Sequence, residues 1–117
     1  MQINNLESYY QQKQEELRTY LEQQLKKFQN ANKEYLSAVV AKACTHAKNL
    51  LEESNKKAFE RFRNSQLEIE ENTKKNYPES LLGHLIKACQ NDLDTSLKFN
   101  QTLFENSIKF YENQIKG

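Results

Sequence analysis

The stretch "ENTKKNYPESLL", residues 71–82, decides the fold. Pro78 disfavours helical backbone at Tyr77, the residue before it, so a helix arriving from upstream ends by there. Lys74 and Lys75 stand where cations meet the partial negative charge of a helix C-terminus. Pro78 and Glu79 suit the first turn of a new helix, where a missing N–H costs nothing and a carboxylate meets the positive end.

Working outward, apolar residues recur at three- and four-residue spacing on both sides of this turn. Upstream they are Leu36, Val40, Ala43, Cys44, Ala47, Leu51, Ala58 and Phe62; downstream, Leu82, Ile86, Cys89, Leu93, Leu97, Phe104, Ile108, Tyr111 and Ile115. Two long amphipathic helices therefore fold back on each other, with positions whose numbers add to about 154 side by side.

A further stripe, Leu6, Tyr10, Leu17, Leu21, Leu25 and Phe28, precedes them, interrupted by Lys13 and Gln24. Asn4 with Glu7 three residues on has the form of a capping box, and Lys26, Lys27 and "NAN" at 30–32 mark an end. The expected architecture is all-α: a single domain over 1–117, an antiparallel, coiled-coil-like bundle of three long amphipathic helices spanning about 4–29, 33–75 and 79–116.

Composition agrees with that reading. The chain has 117 residues, two glycines and one proline, too few turn residues for an all-β fold. An apolar share of 37% beside 28% charged residues means a thin core and much wetted surface. Seventeen basic against sixteen acidic residues leave a net charge of +1, with no footprint for a polyanion. No apolar run is long enough for a membrane span, and "MQINNLESYYQQ" has no signal-peptide pattern; the expectation is a soluble, cytoplasmic protein.

The two cysteines and two histidines invite a metal reading, which spacing rejects. Ligands on one helical face stand three or four apart, whereas Cys44 and His46 are two apart and His84 and Cys89 five. In the antiparallel register Cys44 faces the region of Phe110 and Cys89 faces Ser65, roughly 30 Å apart along the bundle. Each cysteine lies on an apolar stripe as a small hydrophobe, and the histidines fall on the flanks. No cofactor or metal is expected.

"NKKAFERFRN", residues 55–64, interleaves Lys56, Lys57, Arg61 and Arg63 with Phe59 and Phe62, the mixture single-strand binders use. Phe62 continues the core stripe and Glu60 breaks the basic surface, so a solvated helix face is favoured over nucleic acid. Glu68, Glu70 and Glu71 cluster at a polar helix end without the burial acid–base chemistry needs. No phosphate loop and no nucleophile with a matched base appears, which argues against an enzyme. "KACTHAKNLLEESNKKAFE" and "KACQNDLDTSLKFNQTLFE" share Lys-Ala-Cys, an Asn and Phe-Glu at a constant offset, an internal echo. Tyr9, Tyr35, Phe99 and Phe110 sit beside the main stripes, either to finish the core or to anchor a partner.

With these helix lengths the first helix covers only part of the second, leaving residues about 59–95 as a two-helix stalk. Phe59, Phe62, Ile69, Leu82, Leu85, Ile86 and Leu93 would then need a partner, most simply a second copy, and form the expected interface. The expected function is a non-catalytic helical assembly or adaptor protein acting through helix–helix packing with itself or a protein partner. Two alternatives stand beside it. One is an amphipathic coat on a lipid or polymer inclusion, whose layout resembles the phasins in a general sense without a shared motif. The other is a small inhibitor or immunity-type protein.

Overall fold

The computed structural model describes residues 2–35 and 37–116; the side chains of residues 2–4 and 37 lie outside that description, as does Leu36 of the second stripe. Three helices make the fold: α1 (Gln2–Ala31), α2 (Ser37–Lys74) and α3 (Glu79–Lys116). They form an all-α bundle measuring 61 × 18 × 16 Å.

The turn at Pro78 is built from local chemistry. Lys75 and Asn76 donate their amides to the carbonyls of Asn72 and Thr73, tightening the last turn of α2. Asn76 then takes a left-handed conformation, φ 61°, which asparagine tolerates better than most residues and which closes a helix. Leu82 N–H returns to the Pro78 carbonyl at 3.1 Å, the first bond of α3. At the other connection Asn32 closes α1: its side-chain amide donates to the Phe28 carbonyl at 2.8 Å, and the residue is fully buried.

Helices α2 and α3 form an antiparallel hairpin. Asn100 meets Asn55, Arg61 donates to Ser96, and the Cys89 thiol lies 3.9 Å from the Phe62 carbonyl. Helix α1 lies along one side of this hairpin, antiparallel to α2 and parallel to α3. Its register on α3 is fixed by two bonds of the same kind and the same offset: the Tyr9 hydroxyl donates to Asp94 and the Tyr20 hydroxyl to Glu105. The core is three apolar clusters stacked along the axis, centred on Phe62 and Leu93, on Leu51 and Phe104, and on Phe28 and Cys44.

The expected stalk is corrected by the position of α1. Helix α1 begins at Gln2 rather than Asn4, and α2 begins at Ser37 rather than 33, so α1 slides about two turns farther along α2 than the expected boundaries allowed. Glu7 thereby reaches Arg63 and Gln66, and Tyr9 and Tyr10 reach Phe62 and Phe59. Phe59, Phe62, Ile69, Ile86 and Leu93 are buried within the one chain, and Leu82 and Leu85 are partly buried against the same cluster. Leu6, with 0% of its surface exposed, seals that end. Leu67, on the outer side of α2, and Tyr77 and Leu81, at the turn, stay open. The capping box is corrected too: Asn4 lies inside the helix, and the Glu7 carboxylate is engaged by Arg63.

Candidate functional site

The hairpin has two broad sides, and α1 covers one. The other carries Val39, Leu50, Phe99, Leu103 and Phe110, each with between 44% and 63% of its surface exposed. Two adjoining hollows run between α2 and α3 on this side. One, of about 460 Å³, is lined by His46, Leu50, Leu103 and Phe110; the next, of about 480 Å³, by Val39, Lys42, Gln114 and Ile115. His46 and Tyr111 are common to both, and their rings meet edge to face at 5.6 Å. Tyr111 in turn stands 5.7 Å from Phe110. The apolar strip is thus backed by ordered aromatic packing.

Charge is distributed unevenly around α3. Between residues 95 and 114 its ionisable side chains, apart from the phenol of Tyr111, are Lys98, Glu105, Lys109 and Glu112. All four line grooves on the side of α1. Glu105 accepts from Tyr20 at 2.8 Å, and this bond, with one from Gln101, holds its carboxyl below the usual range. The face turned away from α1 presents Phe99, Leu103, Asn106 and Phe110 with no formal charge among them. Such a face can associate with apolar matter.

A second groove, of about 620 Å³, opens between α1 and α2 over Leu17, Leu21, Leu51 and Phe59. Its arginines are already engaged, Arg18 by Glu15 and Arg63 by Glu7. The Arg63 guanidinium carbon also stands over Tyr10, 3.7 Å from the ring centroid, so this cluster latches α1 to α2.

The other singled-out residues have clear places. Cys44 and Cys89 are buried in separate clusters, and burial raises both thiols above their ordinary pKa. Cys89 lies beside Ser65, as the register required. Among the described residues no group of three or more His, Cys, Asp or Glu is arranged to hold a metal. Phe59 and Phe62 point into the core, apart from the exposed Lys56, Lys57 and Arg61. Glu68 and Glu71 are exposed, the latter 3.5 Å from Lys74. Tyr9 and Tyr35 complete the core, whereas Phe99 and Phe110 do not. Spacing singles out those two rings without joining them to Val39, Leu50 and Leu103, because the buried stripe of each helix is the stronger periodic signal. The signal is the spacing of Phe99, Leu103 and Phe110, a second apolar line on α3 that passes through Asn106.

No described helix is long and apolar enough to cross a membrane. Compared with protein-family models, with curated proteins and with solved structures, the chain matches none.

Proposed function

We propose that this protein is a non-catalytic assembly or adaptor protein that works by packing the open face of α2 and α3 against helices of another chain. One observation carries the reading. A contiguous strip of exposed apolar side chains runs down the side of the hairpin opposite α1, where a fourth helix of a bundle would lie. The exposed aromatics on it, Phe99 and Phe110, are the residue type that anchors interfaces.

A second reading has its own support. Phe99 and Phe110 are the large apolar side chains of α3 most open to solvent, and they stand on a line of α3 free of formal charge, which also suits a coat on a lipid or polymer inclusion. A photo-crosslinking residue in place of Thr102, beside the strip, separates the two in the protein's own cells. Adducts to a helical protein segment support the assembly reading, and adducts to lipid alone support the coat. Absence of both, with the fold intact, overturns the use of this face.

A further inference from the structure

We infer that the occupant of this face is a second copy of the chain, packed through α3 against α3 in antiparallel orientation about a twofold axis near Leu103 and Asn106. The inference rests on the assembly reading and adds the partner and the geometry.

A twofold contact brings a surface against itself, so formal charges on it meet like charges near the axis unless the surface is neutral. Helix α3 meets that condition. Its four formally charged residues between 95 and 114 line the grooves beside α1, and the outward line is Phe99, Leu103, Asn106 and Phe110. A foreign helix would be selected by charges flanking such a line; here the flanks offer Asn100, Thr102 and Ser107 instead.

The spacing fits as well. Steps of four, three and four residues are the seam of a two-helix coiled coil. Run antiparallel, that seam places Phe99 against Phe110 of the second copy and Leu103 against its Asn106, each layer occurring twice. Both ends of the contact are then closed by aromatic pairs, and the asparagine at each central layer sets the register.

The neighbouring helix agrees with the same axis. Because Asn55 lies beside Asn100, the level of α2 next to the axis is Leu50, which the rotation brings to Leu50 of the second copy. His46 is brought toward Glu53 of the second copy. A contact along twenty residues of helix, about 30 Å, across a bundle 18 Å wide covers roughly 500 Å² in projection, a modest interface beside the roughly 800 Å² per partner of a standard one.

The test uses the whole chain with its two buried native thiols left in place. Chains carrying Phe99→Cys are mixed with tagged chains carrying Phe110→Cys, and disulfides are trapped by mild oxidation. The mixed disulfide should form at least about tenfold faster than either like pair. In sedimentation equilibrium the wild type should dimerise, Leu103→Glu should weaken the dimer by more than about tenfold, and Leu67→Glu, outside the proposed contact, should leave it unchanged, all with the same helical signal. Prevalence of the Phe99→Cys like pair would overturn the antiparallel arrangement. A monomeric wild type overturns self-pairing; the assembly reading then stands if the crosslinker beside the strip still captures a protein helix, and falls if it does not.

Discussion

Asn100 donates its side-chain amide to the side-chain oxygen of Asn55, Oδ1, at 3.1 Å, across the α2–α3 contact and partly out of water. The two asparagines are the one asparagine shared by the echoed segments, which stand forty-five positions apart, as do Cys44 and Cys89, and Phe59 and Phe104. In an antiparallel pair of like helices a residue meets its own counterpart only at the level of the local twofold axis. Asn55 and Asn100 occupy that level. Helix α1 spans it with an edge-to-face tyrosine on either side, Tyr10 on Phe59 at 5.1 Å and Tyr20 on Phe104 at 6.0 Å.

Breaking this pair from one side should cost more than removing it. Asn100→Leu leaves Asn55, 7% exposed, without its partner, a loss of about 1–3 kcal/mol. Replacing both asparagines by leucine should restore stability to near the wild type. Urea denaturation of the two single variants and the double variant measures the coupling; simple additivity would mean that the bond contributes nothing.

The tyrosine–carboxylate bonds hold α1 in register on α3. Burial, then the bonds to Asp94 and Glu105, raises the phenols of Tyr9 and Tyr20 well above their ordinary range. Tyr9→Phe and Tyr20→Phe should each cost about 0.5–1.5 kcal/mol while keeping the ring packing. Amide exchange in the double variant should quicken in α1 and stay slow through the α2–α3 hairpin.

Acid should loosen the N-terminal end of α1 first. Hydrogen bonds from Arg63 and then Gln66 lower the Glu7 carboxyl from 4.5 to about 2. Its folded-state pKa lies below the unfolded one, so its contribution is complete above about pH 4.5 and is lost as pH falls toward 2. Glu7→Gln should remove this part of the stability-versus-pH curve between those values. An acid limb identical to the wild type in thermal melts would count against the latch.

Substitutions at the corrected stalk residues should unfold the monomer instead of dissociating an assembly. Leu93→Ala, at a site 1% exposed, should cost about 2–5 kcal/mol, and Leu6→Ala a similar amount. Leu67→Ala, at a site 60% exposed, should stay within about 0.5 kcal/mol of the wild type. Guanidinium titration of the three variants orders them.

The thiols should report global opening. Both are buried with raised pKa, so alkylation of the folded protein should be slow and should accelerate together with unfolding. Cys44→Ser and Cys89→Ser should each destabilise by roughly 1–3 kcal/mol, since a hydroxyl replaces a buried hydrophobe. Fast labelling of either cysteine in native buffer would contradict its place in the core.

The all-α class, the turn at Pro78 and the α2–α3 register that sets Cys89 beside Ser65 are legible in the amino-acid sequence. These follow from information within one helix or across one tight turn: the period of the apolar stripe, the proline, the cations before it. Tertiary structure alone decided how far α1 slides along the hairpin, because that depends on the length and path of the connection after Asn32 and on which side chains interlock. Tyr10 on Phe59 and Glu7 on Arg63 settle it, and with it the burial of the supposed stalk. The open face was decided the same way. Phe99 and Phe110 read as core or surface with equal ease from spacing, and they are exposed because a third helix can cover only one side of a two-helix hairpin.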